Sequence, residues 1–214
     1  MLTDNAMRPA RAWYALAVCG TLALGACSSK YAQVPPRLDL QRYGRVALIT
    51  FTAANEHRAM GALATQRFAE ELLAGQPGIE LLELTASDSL LAAHPAGTDP
   101  VVLAQALGES RDIPAVFVGD LTVAGVKPRA RLDVSDVSLR ASVSAKLSVR
   151  LLSTRAGGTL WRSSAAASGN VGRVNLAGGL PSVALRNTEE AYGEVVGSLI
   201  QQVTADLRPT WVKQ

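Results

Sequence analysis

The stretch VSLRASVSAKLSVRLL, residues 137–152, alternates almost without a break. Val137, Leu139, Ala141, Val143, Ala145, Leu147, Val149 and Leu151 are apolar, and Ser138, Arg140, Ser142, Ser144, Lys146, Ser148 and Arg150 between them are polar. Period two marks a strand, because successive side chains leave opposite faces. The strand has one oily face and one basic, hydroxyl-rich face. It fits a pore wall, or a sheet with one packed and one wet face. Its neighbours favour the second. STRAGGT, residues 153–159, is a turn in which Gly157 and Gly158 take positive φ cheaply. LWRSSAAAS, residues 160–168, returns as the hairpin partner, with no clean alternation and little apolar surface. A spanning strand needs about 9–11 residues and an inserted hairpin therefore roughly twenty or more; the link ahead, residues 127–136, is too short for one and carries Lys127, Arg129 and Arg131. No paired aromatic girdles flank the hairpin. The expectation is a half-covered sheet with its polar side in water.

Outward from this hairpin, GRVALITFT, residues 44–52, reads as a buried strand. A helix follows, with Met60, Leu63, Ala64, Phe68 and Leu72 at helical spacing, Asn55 at its start and Gly75 at its end. IELLELT, residues 79–85, is a second strand. Residues 87–108 hold a short helical turn, a loop and a further helix opened by Asp99 and Pro100. PAVFVGDLTVAGV, residues 114–126, is the third strand. A Gly-rich loop spans 169–181. A last helix starts near Asn187, with Glu190 in a box-like cap. Its apolar stripe is Ala191, Tyr192, Val195, Leu199, Val203 and Leu207, and Pro209 ends it. The order is β-α-β-α-β-β-β-α, without internal repeat. It predicts a single α/β domain with a mixed five-stranded sheet and helices packed mainly on one face.

The N-terminus speaks of location. Arg8 and Arg11 precede the apolar run at residues 12–24, and LGAC at 24–27 follows. A charged start, a short apolar stretch and small residues before a cut make a secretory signal, too short to span a bilayer. LGAC resembles a bacterial lipobox. The resemblance implies cleavage after Ala26 and lipidation of Cys27, and Ser28 in place of Asp favours the outer membrane. The expected organisation is a lipoprotein signal peptide at 1–26, lipidated Cys27 and a flexible tether through 43, an α/β periplasmic domain at 44–208 and a C-terminal tail at 209–214. Cys19 leaves with the signal, so Cys27 is the one cysteine of the mature chain and no internal disulfide forms. More than one acyl chain, at about 0.8 kcal/mol per buried methylene, holds such a protein on the membrane almost permanently.

RVALITF (45–51), LGESRDIPAVFVGDL (107–121) and SVRLLSTRAGGTLW (148–161), with the lipobox and the C-terminal helix, resemble the CsgG/LpoB-like bacterial outer-membrane lipoproteins. The resemblance implies a fold like the N-terminal domain of TolB. It also implies a role like those of the group's members, which include a curli-secretion pore subunit and activators of peptidoglycan synthases. The shared motifs are structural rather than catalytic.

Catalysis is not expected. His57 and His94 lack metal-ligand spacing, and no nucleophile elbow or P-loop is present. Glu70 with Glu71, and Glu189 with Glu190, read as solvated helix faces or cap charges. No cofactor or metal is expected. Without the signal the chain carries 19 Lys+Arg against 17 Asp+Glu, since Arg8, Arg11 and Asp4 depart. That mild balance, with no basic run, excludes nucleic acid as the expected partner. What remains is a surface. Arg140, Lys146 and Arg150 share a strand face, with Arg129, Arg131 and Arg162 near it, and together they suit an acidic protein partner, lipid headgroups or cell-wall carboxylates; the Ser-rich spacing between the charges makes a flat, hydrogen-bonding surface that favours a protein. The expected function is a non-catalytic, protein-binding accessory or assembly factor, an activator or secretion accessory, anchored through Cys27 and facing the periplasm. The alternative is a subunit of a homo-oligomeric curli-type secretion channel.

Overall fold

The structure, a computed structural model, describes residues 31–94, 97–132, 137–177, 180–185 and 188–213. The expected signal, its cleavage site at Ala26 and Cys27 lie outside the described residues. The chain divides into two units. One covers residues 35–209. The other contains β1 (Tyr31–Val34) and β9 (Thr210–Lys213), which pair antiparallel as a two-stranded ribbon.

The larger unit runs β2 (Arg45–Ile49), β3 (Thr52–Ala53), α1 (Arg58–Gly75), β4 (Glu80–Leu84), α2 (Ser89–Ala92), α3 (Pro100–Arg111), β5 (Ala115–Leu132), β6 (Val137–Ser153), β7 (Thr159–Ala177), β8 (Leu180–Leu185) and α4 (Thr188–Val203). These strands form one seven-stranded sheet in the order β4-β2-β5-β6-β7-β8, with β3 beside β5. The pairings of β2 with β4 and β5, and of β3 with β5, are parallel; those from β5 to β8 are antiparallel. This is the expected mixed α/β sheet. Its parallel part needs helical crossovers, and its antiparallel part needs only tight turns.

The strands of the parallel part alternate between two apolar clusters. Val46 and Leu48 join one with Phe117, Leu147, Val149, Leu151 and the buried stripes of α1 and α4. Ala47, Val116, Val118 and Leu152 join the other, with Ala104 and Leu107 of α3. Since neighbouring residues of a strand face opposite ways, the two longer helices cover one face and α2 and α3 cover the other. The continuous apolar run in β2 follows from this double burial. In the larger cluster, edge-to-face contacts run from Phe51 to Phe68 (5.3 Å), Phe68 to Phe117 (5.2 Å) and Phe117 to Trp161 (6.0 Å). Gly61 lets α1 approach the sheet, because an added Cβ there would stand 2.8 Å from the Phe51 carbonyl oxygen. The Phe51 N–H donates to Thr65 Oγ1, whose hydroxyl donates to the Gly61 carbonyl, each at 2.8 Å.

The helix punctuation is largely that read from sequence. The Asp99 carboxylate accepts from the Val101 N–H at 2.8 Å, with Pro100 in the first turn of α3. The helix ends at Asp112, which takes a left-handed φ of 51°. Asn55 lies instead in a 3-10 turn, and His57 occupies the cap position of α1.

Four features differ from the expectation. Helices lie on both faces rather than mainly on one, because the strands at the parallel end are apolar on both sides. The sheet has seven strands rather than five. The supposed link at 127–136 is strand as far as Leu132, and the supposed loop at 169–181 is the end of β7 and the start of β8. The segment read as a tether is also docked at its end. Leu38 and Leu40 are buried, and the buried Gln76 amide holds them. Its Nε2 donates to the Leu38 and Leu207 carbonyls at 2.7 and 2.8 Å, and its Oε1 accepts from the Leu40 N–H at 3.1 Å. The carboxamide supplies both the donors and the acceptor that these buried backbone groups need.

Candidate functional site

Beyond Leu121, β5 has no strand on its side away from β6 among the described residues, and the outer edge of β8 is likewise unpaired. The distal parts of β5, β6 and β7, with β8, thus form a four-stranded apron that continues the sheet. Its chemistry depends on two bulges. On β5, Ala124 stands opposite Ser144 but Lys127 opposite Ser142, so β5 holds one residue more than β6 in that interval. On β7, Val171 is the extra residue between Asn170, opposite Ser142, and Gly172, opposite Ala141. β6 runs unbroken between them.

A bulge shifts the phase of the alternation by one residue. Before the β5 bulge, Leu121 pairs with Leu147 and Val123 with Ala145, so odd-numbered residues share the face covered by α1 and α4. After it, Pro128 stands opposite Ala141, Ala130 opposite Leu139 and Leu132 opposite Val137. Even-numbered residues now occupy that face, and Lys127, Arg129 and Arg131 fall on the other. The β7 bulge makes the same shift. Val174 and Leu176 continue the apolar rows opposite Leu139 and Val137, while Arg173 stands opposite Arg140.

The register therefore brings Arg129, Arg131, Arg140, Lys146, Arg150 and Arg162 onto one sheet face. Arg129, Arg140 and Arg173 form a continuous cross-strand row. Arg150 stands opposite Arg162, ten residues further along β6 from Arg140. Asp120, hydrogen-bonded by the Thr52 hydroxyl at 3.0 Å, lies on the same face in register with Ser148. Between Lys146 and the bulges the face forms a shallow trough of small residues, with Thr122, Ala124, Ser144, Ala166 and Ser168 in its wall. Directly opposed like charges destabilise a sheet. Such a row is therefore suited to meeting negative charge.

Arg173 is the residue that the sequence reading missed. Four glycines between 169 and 179 suggested a loop, yet Arg173-Val174-Asn175-Leu176 alternates, and AGGL followed by apolar residues is a hairpin signal. Cys27 is the remaining candidate site residue. The two histidines are not brought together: His94 Nδ1 lies 2.8 Å from the Leu90 carbonyl oxygen, and His57 begins α1. Among the described residues no group of three or more His, Cys, Asp or Glu is placed to hold a metal ion, and no helix is long and apolar enough to cross a membrane. A second groove lies at the opposite end of the sheet, lined by Arg45, Glu80, Glu109, Asp112 and Arg155. Its charges are mixed, and Arg45 is paired with Glu80 at 2.9 Å.

No family model and no curated protein matches the chain. Solved structures do. A PelC dodecamer from Paraburkholderia phytofirmans is 18% identical, with 84% of this chain and 97% of that one covered at a TM-score of 0.43. Lipoprotein GNA1162 from Neisseria meningitidis is 16% identical over 76% and 99%, at 0.37. The LpoB C-terminal domain from Salmonella enterica is 12% identical over 69% and 90%, at 0.32. Likeness of this degree carries nothing about what this chain binds.

Proposed function

We propose that this chain is a non-catalytic lipoprotein, anchored in the outer membrane through Cys27 and facing the periplasm. It acts as a protein-binding accessory or assembly factor, and the basic face of the apron is its docking surface for an acidic envelope protein. One observation carries this reading: the cross-strand row Arg129–Arg140–Arg173. Like charges at opposed register positions disfavour a sheet, and carboxylates are the charge-assisted, often bidentate partners of arginine. The test is charge reversal at Arg140, Lys146 and Arg150, with crosslinking in living cells from a position on the apron. Loss of a defined crosslinked partner with the fold intact is expected. An unchanged crosslink pattern removes this face as the docking site.

The alternative, a homo-oligomeric curli-type channel subunit, is favoured by the apron's other face. Pro128, Ala130 and Leu132 on β5, Val137, Leu139 and Ala141 on β6, and Val174 and Leu176 on β7 continue into Pro181, Val183 and Leu185 on β8, without a charge. The lack of apolar surface argued from residues 160–168 therefore does not extend to the distal half of β7. Length weighs against the channel. Beyond the bulge β5 offers residues 127–132, about 20 Å at ~3.3 Å a residue, and tilting shortens that further. An apolar band of about 25 Å is needed. Negative-stain microscopy of detergent extracts separates the readings, since a channel forms rings and an accessory does not.

A further inference from the structure

The β1–β9 ribbon places apolar and aromatic surface in water at the membrane end of the chain. Tyr31 is 59% exposed, Trp211 64%, Val212 47% and Val34 41%. The register puts Tyr31 opposite Lys213 and Gln33 opposite Trp211, so these four residues share one face. Ala32, Val34, Val212 and Thr210 share the other. Tyr31 and Trp211 are thus diagonal neighbours beside a lysine. An isolated two-stranded ribbon is at best marginally stable in water, and this one has four residues per strand. It needs a covering surface.

We propose that the ribbon seats in the headgroup layer of the membrane, as a second contact beside the acyl chains. The inference rests on the reading of Cys27 as the lipidated residue. Tyr31 is four residues beyond Cys27, so the ribbon starts within about 14 Å of the anchor even with the chain fully extended. Tyr and Trp favour this layer because one end of each ring is apolar and the other makes hydrogen bonds. Lys213 is the ribbon's single charged side chain, and its ammonium suits lipid phosphate. Neither strand carries an acidic residue to oppose that contact.

Two measurements test the ribbon separately from the anchor. In the first, the lipidated protein and its Trp211→Phe variant are reconstituted into vesicles containing brominated phosphatidylethanolamine. Their difference isolates Trp211 from Trp161 without disturbing the core. Strong quenching by bromines near the glycerol level, with blue-shifted emission, is expected. Water-like, unquenched Trp211 emission in vesicle-bound protein overturns the proposal and leaves the ribbon to a protein partner. In the second, the chain from Ser28 onward, without signal or acyl groups, is floated with phosphatidylethanolamine/phosphatidylglycerol vesicles. It should float several-fold more than its Tyr31→Ser, Trp211→Ser variant. Equal flotation again overturns the proposal. Mature protein whose Cys27 carries no acyl group, while the second result holds, overturns the Cys27 reading alone.

Discussion

Gln76 shows how much one side chain can hold. Its carboxamide serves three backbone groups from two distant segments, and it is 3% exposed. Gln76→Ala leaves the Leu38 and Leu207 carbonyls and the Leu40 N–H unsatisfied, at roughly 1–3 kcal/mol for each group that water cannot reach. A loss of about 3 kcal/mol or more in urea denaturation is expected, whereas a loss under about 0.5 kcal/mol, typical of an ordinary surface change, contradicts this role. Asp88 gives a pH-dependent counterpart. Its carboxylate accepts from Arg111 Nη2 at 2.9 and 2.8 Å and from the Leu90 N–H at 3.0 Å. The Arg111 hydrogen bond, then the backbone one, hold its pKa below the ordinary carboxylate value. A depressed carboxylate stabilises the fold above its unfolded pKa and loses that contribution as pH falls through the folded value. The stability gap between wild type and Asp88→Asn should therefore be full at neutral pH and close in acid; a gap independent of pH contradicts the ion pair. Asp99 as a cap follows from local sequence. Gln76 does not, since its partners are 36 to 131 positions away.

At the scale of elements, the apron turns on the two bulges. The alternation of 137–152 was legible because β6 carries no interruption, and it fixed the strand and its two faces. The flanking strands were read short because each changes phase midway: β5 at residues 125–126, and β7 at Val171. A period-two pattern that slips by one residue looks like the end of a strand followed by a polar link. Pro128 is tolerated in β5 because, among the described residues, one side of the strand is open there. The arginine row makes a prediction here. Position 140 is the centre of the Arg129–Arg140–Arg173 register row, so Arg140→Ser should raise the stability of the protein alone at low salt. The gain should shrink at high salt as the charges are screened. Chemical denaturation at the two salt levels checks this. A destabilised variant would mean that the row is already neutralised within the chain.

For the whole molecule, the predictions concern placement. Cys27→Ser should abolish incorporation of labelled palmitate and remove the protein from the outer-membrane fraction. Unchanged fractionation would mean that something other than an acyl anchor holds it there. Partner capture through the apron should weaken as ionic strength rises, because exposed charges act over about 8 Å at physiological salt and less above it. Capture indifferent to salt would point to the apolar face instead. The α/β class was legible from alternating apolar runs and helical stripes. The division of the helices between the faces was not, because a short apolar strand buried on both sides looks the same as one buried on one.

The ribbon has a practical consequence for anyone labelling this protein. Since β9 runs antiparallel to β1, Lys213 ends opposite Tyr31. On the reading of Cys27 as the lipidated residue, a reporter fused beyond Lys213 would emerge beside the anchored end of the chain, wedged where the bilayer should be.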